Sequence, residues 1–276
     1  MKVLIKGAKI IDKNSTHHGK KLNVLIERGK IRINPAKDIA FDTEIDARGM
    51  YLTPGWCDMR CWLADPGYEH KEDLNSGLDT AASGGFTAVA LLPNNNPVTQ
   101  SKNDVNYLKR TSHPIVSLFP YAAITLETNG EELTEMIDLH EAGAVGFTDG
   151  LQPIWHSDIL MKCLQYLQKF NGLLLNKAED KFLTQFGVMH EGKQSTMLGM
   201  KGIPGLAEEL MVIRDLELLK YTGGRLHFST ISTAKSLALI RSARKEGMEV
   251  TCDMAAYQTA FVDDDLVTFD RDIADL

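Results

Sequence analysis

The side chains that could do chemistry are spread along this chain and do not form one of the common catalytic motifs. The eight histidines include no His-x-His pair and no His-Glu-x-x-His sequence, the patterns that commonly bind a metal ion. The nucleophile-elbow, phosphate-loop and dinucleotide-binding glycine patterns are also absent from the sequence. Adjacent carboxylates occur at Glu179-Asp180 and at Asp263-Asp264-Asp265, and we interpret the second group as a solvated loop. Local motifs alone therefore predict no reaction.

His227 is the best single candidate for a functional histidine, because it lies on a predicted strand. A hydrogen-bonded histidine of the core is the simpler interpretation. The four cysteines contain no Cys-x-x-Cys pair, so we interpret them as reduced structural side chains and not as zinc ligands.

From residue 51 onward, short apolar strands alternate with amphipathic helices. The predicted strands cover residues 56–62, 87–93, 117–125, 144–149, 172–177, 225–231 and 249–255. The predicted helices lie around 131–142, at 157–170 with Ser157 as the N-cap, at 205–220 and at 233–246. This alternation indicates a parallel sheet covered by helices.

Seven strands are one fewer than a closed (β/α)8 barrel has. We therefore expect an α/β barrel that is incomplete at its C-terminus. Its open edge would expose unpaired backbone groups. We expect further polypeptide or another chain to cover that edge, and an assembly larger than a monomer.

The first 50 residues have a different pattern. Strand signals at 2–11, 23–31 and 41–46 indicate short antiparallel strands, with a turn at Arg28-Gly29-Lys30. We expect a small β-sandwich portion at 1–50, followed by the barrel at 51–276.

Composition narrows the class of protein. Of the 276 residues, 43% are apolar and 24% are charged, which is typical of a globular protein with a sizeable core. A net charge of -7 argues against a nucleic acid or an acidic membrane as the partner. The N-terminus lacks the apolar region of a signal peptide, and no apolar run has the length of a membrane helix. We therefore expect a cytoplasmic protein.

Six short motifs occur in an order and spacing that resemble the dihydroorotases, cyclic amidohydrolases that use zinc. Residues 54–73 resemble the family pattern Pro-Gly-x-x-Asp-x-His-x-His-x-x-Asp-Pro-Gly-x-Glu. The other five motifs lie at 84–97, 143–150, 177–180, 225–233 and 249–258. The resemblance spans nearly the whole chain. It implies a barrel of the amidohydrolase type, with a metal at its mouth that activates water and polarises a ring amide.

The residues at the family's four histidine positions differ in this chain. Arg60 and Trp62 replace the two histidines of the first strand, Lys177 replaces the third and Thr230 the fourth. Arginine does not deprotonate and an indole N–H only donates, so neither side chain can bind zinc. Ala64 stands where the family has an arginine that holds the substrate carboxylate. The resemblance therefore implies no metal in this chain, although the family uses zinc.

Two residues of the family's pocket are retained. Asn94 matches a substrate-binding asparagine, and Asp149 matches an aspartate at the barrel mouth. A buried carboxylate without a counter-charge is costly. We therefore hypothesise that Arg60 or Lys177 pairs with Asp149, while Trp62 fills the rest of the vacated volume.

The resemblance leaves three functions open. The first is a dihydroorotase-like protein that has lost hydrolysis and supports aspartate transcarbamoylase in pyrimidine biosynthesis, as inactive chains of this kind do in some bacteria. The second is an active dihydroorotase, or a related cyclic amidohydrolase, with a rebuilt site. The third is a sensor that binds a small anion beside Arg60, Lys177 and Asn94. The expected partners are further copies of the chain or the transcarbamoylase, and neither nucleic acid nor a membrane is expected.

Overall fold

A computed structural model describes residues 1–36 and 38–266 of the chain. The chain divides into two compact units, one ending at Trp56 and the other beginning at Cys57. All four cysteines are free thiols. In the described part of the chain, no helix combines the length and the apolar character needed to span a membrane.

The first unit is a five-stranded sheet. Its strands are β1 (Lys2–Ile10), β2 (Lys21–Glu27), β3 (Lys30–Ile33), β4 (Thr43–Asp46) and β5 (Tyr51–Leu52). β1, β2 and β3 pair antiparallel, as predicted. The prediction is wrong for the strand at 41–46, because β4 runs parallel to β1. β5, which was not predicted, also runs parallel to β1. The backbone N–H of Asp42 donates to the Lys2 carbonyl at 2.9 Å, and this bond places the start of β4 beside the start of β1.

The second unit alternates strands and helices. Its strands are β6 (Trp56–Cys61), β7 (Phe86–Leu91), β8 (Ser117–Ala122), β9 (Gly146–Phe147), β10 (Leu173–Asn176), β11 (Met189–His190), β12 (Gly202–Ile203), β13 (Arg225–Phe228) and β14 (Glu249–Cys252). Its helices are α1 (Leu74–Ser83), α2 (Lys102–Arg110), α3 (Met136–Ala142), α4 (Ser157–Leu167), α5 (Lys181–Thr184), α6 (Lys193–Leu198), α7 (Leu206–Thr222) and α8 (Ala234–Lys245).

Seven of these strands form one sheet in the order β14-β13-β10-β9-β8-β7-β6, while β11 and β12 pair separately. The registers that join β7 to β8, β8 to β9, β9 to β10, β10 to β13 and β13 to β14 are all parallel. All seven predicted barrel strands are therefore confirmed. Within residues 1–36 and 38–266, the fold is an α/β barrel of seven strands, one fewer than a closed (β/α)8 barrel has.

The core lies between the sheet and its covering helices. Phe147, Leu174, Leu226 and Val250 project from the strands into it and are at most 2% exposed. Leu160 of α4 is fully buried in the same cluster. Burying such large aliphatic and aromatic side chains supplies most of the free energy that holds a sheet and its helices together.

Several element boundaries differ from the predictions by a few residues. α4 begins at residue 157 as predicted, but its N-cap is His156, whose carbonyl accepts from the Leu160 N–H, and it ends at Leu167 instead of residue 170. β8 ends at Ala122, three residues before the predicted end. The next backbone N–H groups leave the ladder, since Ala123 donates to the Thr99 carbonyl and Ile124 and Thr125 donate to the Asp149 carboxylate.

The turn after β13 is anchored to the helix before it. The carboxylate of Glu208 on α7 accepts hydrogen bonds of 2.8 to 3.0 Å from the backbone and hydroxyl groups of Ser232 and Thr233. Burial raises the pKa of Glu208, but these bonds outweigh it and hold the pKa below its ordinary value. This cap at the start of α8 fixes the loop that carries Thr230.

Candidate functional site

The carboxyl ends of the parallel strands meet at one edge of the sheet, which is where barrels of this type carry their sites. The sequence-predicted positions all follow or end one of these strands: Arg60, Trp62, Asn94, Asp149, Lys177 and Thr230. The structure joins them in separate small networks.

Arg60 and Thr230 are in direct contact. Nη1 of Arg60 donates to the Thr230 hydroxyl at 3.3 Å, and Nη2 donates to the Gly150 carbonyl at 3.5 Å. The Nε–H group is buried without an acceptor among the described residues. The guanidinium therefore occupies the space between two of the family's ligand positions and connects the loops that carry them.

Trp62 lies at the rim. Its indole N–H donates to the Asn94 carbonyl at 3.2 Å, and the ring is 37% exposed. The Tyr68 ring lies 6.0 Å away, and the Lys71 ammonium lies 5.6 Å from the indole centroid. The hypothesis that Trp62 fills the vacated volume is therefore wrong, because the ring packs outward against a neighbouring aromatic and a cation.

Both polar atoms of the Asn94 amide form hydrogen bonds to the loop after β9. Its Nδ2 donates to the Asp149 carbonyl at 3.0 Å, and its Oδ1 accepts from Leu151 N–H at 2.9 Å. A Cβ added to Gly150 would lie 1.8 Å from this Oδ1. The asparagine and the glycine therefore form a fitted pair that shapes the loop.

Asp149 is buried and is satisfied by neutral donors. Its carboxylate accepts from the backbone N–H groups of Ile124 at 3.0 Å and Thr125 at 2.9 Å, and from the Thr125 hydroxyl at 2.6 Å. Burial raises the pKa of Asp149, partly offset by these three hydrogen bonds. The ion pair with Arg60 or Lys177 that we hypothesised is absent from the described residues. Three hydrogen bonds take the place of a counter-charge.

Lys177 forms an ion pair with a residue close to it in sequence. Its Nζ lies 2.6 Å from the Glu179 carboxylate, and the Thr184 hydroxyl donates to the same carboxylate at 3.0 Å. Asp180 caps α5 by accepting from Phe182 and Leu183 N–H. The adjacent carboxylates at 179 and 180 thus fix the loop after β10, and a protonated lysine has no lone pair to offer a metal.

One network at the strand ends went unrecognised in the sequence. His227 is 3% exposed and uses both ring nitrogens, Nδ1 with the Thr251 hydroxyl at 2.8 Å and Nε2 with the Asp253 carboxylate at 3.2 Å. The Thr230 N–H donates to the other oxygen of Asp253. Alternation along the predicted strand 249–255 places Thr251 and Asp253 on one face, a signal that could have pointed to this pairing.

The charges around Asp253 explain its ionisation. Burial raises its pKa, but the hydrogen bonds from His227 and Thr230 and the positive charge of Arg60 outweigh this effect and lower the pKa overall. Since neither His227 nitrogen is free, His227 is a hydrogen-bonded histidine of the core, as the simpler interpretation predicted.

The side chains present do not fit the zinc of the family. Arginine, indole, protonated lysine and a threonine hydroxyl stand at the four histidine positions, and none of the first three has a lone pair available to a metal. Within residues 1–36 and 38–266, no three histidine, cysteine or carboxylate side chains cluster in a metal-binding arrangement. These positions therefore do not supply the ligand set that a zinc-dependent step requires.

A cavity of about 1140 Å³ opens beside β14. Its polar lining includes four carboxylates, from Glu209, Asp253, Asp263 and Asp264, and one lysine, Lys193. This excess of negative charge disfavours an anionic ligand in the cavity.

Comparison with known proteins agrees with this architecture. Residues 49–236 match a family described as dihydro-orotase-like. The chain is 40% identical over 272 residues to a protein named dihydroorotase from Pelotomaculum thermopropionicum, covering 98% of this chain and 64% of that protein. It is 38% identical over 274 residues to one of the same name from Syntrophus aciditrophicus, covering 98% and 64%. The chain thus spans slightly less than two thirds of these relatives.

Solved structures share the fold at low sequence identity. An L-hydantoinase (dihydropyrimidinase) from Arthrobacter aurescens superimposes with a TM-score of 0.74 at 22% identity, over 96% of this chain and 60% of that one. A dihydropyrimidinase from Brevibacillus agri gives 0.72 at 17% identity, over 98% and 60%. At these identities the likeness concerns the fold alone.

Proposed function

The chain belongs to the dihydroorotase-like family, and from that premise we propose that it has lost metal-dependent hydrolysis of cyclic amides. In this proposal it acts in the cytoplasm as a structural or regulatory partner in pyrimidine biosynthesis, assembled with aspartate transcarbamoylase. The partner role rests on the family resemblance, and the loss of hydrolysis rests on the site.

The contact between Arg60 and Thr230 is the observation that carries the proposal. A hydrolytic site needs a space between its ligand positions for a metal and an activated water. Here the Arg60 guanidinium lies in that space, 3.3 Å from Thr230. Lys177, at a third former ligand position, lies 2.6 Å from the Glu179 carboxylate. Arg60 and Thr230 bind one another, and Lys177 is paired with Glu179, so these side chains hold the strand ends together instead of binding a metal.

The alternative is an active cyclic amidohydrolase with a rebuilt site, and the His227–Asp253 pair is the feature that could serve it. A general base must present a free nitrogen or oxygen to its substrate. Both nitrogens of His227 are bonded at 2.8 and 3.2 Å, so this alternative requires the pair to separate when substrate binds.

Metal content and turnover together test the loss of hydrolysis. Protein purified after growth with added zinc is analysed by mass spectrometry for metals, and it is assayed for hydrolysis of dihydroorotate and for ring closure of the open-chain hydrolysis product. The Pelotomaculum relative serves as the reference protein. We expect no stoichiometric metal and no turnover. One equivalent of zinc with turnover that co-purifies with the chain would establish the active alternative.

A double variant tests whether histidines at the first two former ligand positions are enough to restore a metal site. In Arg60→His/Trp62→His, the two imidazoles return to one strand face, but Lys177 and Thr230 are unchanged. We expect this variant to bind zinc no more tightly than a surface His-x-His pair and to remain inactive.

The partner role has its own test. The chain is mixed with purified aspartate transcarbamoylase of the same organism, and the mass of any complex is measured by light scattering after size-exclusion chromatography. A stable joint peak is expected, and two separate peaks at micromolar concentration would remove the partner role.

A further inference from the structure

One face of the sheet formed by β1 to β4 carries only aliphatic side chains and a threonine. Residues that pair across neighbouring strands share a face, and so do alternate residues along one strand. Two rows of paired residues therefore lie side by side on this face: Ile31, Ile26, Val3 and Thr43 in the first row, and Ile33, Val24, Ile5 and Ile45 in the second. We call these eight side chains the aliphatic face.

The aliphatic face is open to solvent toward both edges of the sheet. Ile31 on β3 is 68% exposed, Ile45 on β4 is 46% exposed, and Ile26 between them is 36% exposed. Thr43 is exposed as well, and of the eight side chains only Val24 is buried. Apolar side chains exposed singly need no explanation, but a contiguous apolar patch marks an interaction site.

The opposite face of the same sheet is charged. There the Lys2 ammonium lies 3.0 Å from the Glu27 carboxylate, and the Lys6 ammonium lies 2.8 Å from that of Glu44. Two large side chains that the sheet buries most completely, Leu4 and Leu25, also lie on this charged face and are at most 5% exposed. Packing of the sheet within the described chain therefore does not account for the exposed isoleucines of the aliphatic face.

A second sheet is the natural cover for an aliphatic face of this kind. The apolar faces of two sheets pack about 10 Å apart in a β-sandwich, the arrangement that the sequence predicts for residues 1–50. Among the described residues, the first unit has one five-stranded sheet. The other sheets of the described chain are the barrel sheet and the short pair of β11 with β12. The second layer of a sandwich would therefore have to come from outside the described residues.

A second copy of the chain meets the requirements for this layer. Around a twofold axis the same surface is used on both sides of the interface, so any charge on it meets a like charge. The aliphatic face has no charged side chain, and two copies can therefore pack through it without repulsion. Two identical sheets also have the same twist, which aligned packing of sheets requires.

We propose that two copies of this chain pack through their aliphatic faces, so that their N-terminal sheets form one β-sandwich across a twofold axis. The inference concerns self-association and depends neither on the loss of hydrolysis nor on the transcarbamoylase. The aliphatic face is smaller than the about 20 to 30 residues that each partner contributes to a standard interface. We therefore expect a dimer that dissociates in the micromolar range.

Light scattering after size-exclusion chromatography measures the assembly. We expect the wild type to pass from the monomer mass to the dimer mass as its concentration rises from about 1 to about 200 μM. Ile31→Glu/Ile45→Glu places two carboxylates on the aliphatic face. The matched control, Arg32→Glu, makes the same change in net charge on the opposite face of β3. All three side chains are exposed, so these variants are expected to unfold at the same temperature as the wild type.

The double variant should raise the dissociation constant of the dimer at least about tenfold, because each copy would bury two unpaired carboxylates in the interface. The control should change this constant less than about twofold, since an exposed charge outside the interface contributes little. Because no charged side chain lies on the aliphatic face, the wild-type dimer should also depend little on salt concentration.

A second variant adds a charge without removing an aliphatic side chain. Thr43→Lys places an ammonium on the aliphatic face, and Glu44→Gln makes the same change in net charge on the opposite face of β4. Both positions are exposed. We expect Thr43→Lys to weaken the dimer and Glu44→Gln to leave it unchanged.

Three outcomes would overturn the proposal. A wild type that remains monomeric over the whole concentration range would do so, whatever covers the aliphatic face. A dimer that persists in both Ile31→Glu/Ile45→Glu and Thr43→Lys would place self-association on another surface. If the wild type does not self-associate but binds the transcarbamoylase, and the double variant does not bind it, the face belongs to that partner. Metal content and turnover are measured separately, so none of these outcomes decides whether hydrolysis is lost.

Discussion

The Arg60 guanidinium donates to the Thr230 hydroxyl at 3.3 Å, across 170 positions of sequence. Arg60 lies on β6 and Thr230 follows β13, and four strands separate β6 from β13 in the sheet. A flat sheet would keep these residues far apart, since neighbouring strands are about 4.8 Å apart. The contact therefore reports the curl of the sheet, and it closes the space in which the family's ligands would meet.

Arg60→Ala should destabilise the second unit. The change removes both donors to Thr230 and Gly150 and takes a positive charge away from Asp253. We expect a loss of about 1 kcal/mol in the free energy of unfolding, measured by urea denaturation. Arg60→Lys should recover little of it, because one ammonium cannot reproduce the guanidinium geometry. Arg110→Ala, at the exposed end of α2, is the control and should change nothing measurable.

Gly150→Ala should be much more harmful than Gly199→Ala. Both glycines have a left-handed backbone, with φ of +62° and +65°. Alanine at either position therefore costs about 1 kcal/mol in backbone strain. A Cβ at Gly150 would also meet Asn94 Oδ1 at 1.8 Å, whereas Gly199 has open space around it. The difference between the thermal unfolding midpoints of the two variants measures the cost of the clash with Asn94. Equal midpoints would show that the loop after β9 moves to accommodate the methyl group.

Asn94→Asp tests whether this side chain has a structural role. Aspartate keeps an acceptor for the Leu151 N–H but cannot donate to the Asp149 carbonyl. We expect a loss of about 1 to 2 kcal/mol in the free energy of unfolding. Asn75→Asp on the exposed side of α1 is the matched control. An unchanged stability for Asn94→Asp would leave Asn94 free for a ligand.

Asp253 should make the protein sensitive to acid. Its folded-state pKa is lowered, so its ionised form contributes stability that is fully present above the unfolded pKa of about 3.9. That contribution is lost as the pH falls through the folded-state pKa.

Asp253→Asn should therefore lower the free energy of unfolding at pH 7 by about 1 to 3 kcal/mol. The difference from the wild type should shrink as the pH falls below about 4, the unfolded pKa of an aspartate, and through the lower folded-state pKa. Denaturation across this range measures it, with the exposed Asp264→Asn as control. A difference independent of pH would assign the effect to packing alone.

The barrel strands could be predicted from the sequence because the pattern that encodes them is local. Apolar runs bounded by glycine and polar residues predict buried parallel strands wherever they occur, and all seven appear within their predicted ranges or begin one residue earlier. The assignment of residues 60, 62, 177 and 230 to the family's ligand positions rests on the order of the motifs and stays a prediction.

The partners of those residues depended on the tertiary structure. Asp149 binds Ile124 and Thr125, and Lys177 binds its near neighbour Glu179 instead of Asp149. Charge alone favoured a pairing of Arg60 or Lys177 with Asp149. Backbone N–H groups left free where β8 ends satisfy the carboxylate without that pairing, and only the packing of the strands places them there.

The sequence by itself therefore determined the order of strands and helices and the chemical types at the strand ends. The three-dimensional structure decided which of those side chains touch, because contacts such as Arg60 with Thr230 and His227 with Asp253 depend on strand curvature and register. Those quantities arise from the packing of the whole sheet against its helices, and no local stretch of sequence encodes them.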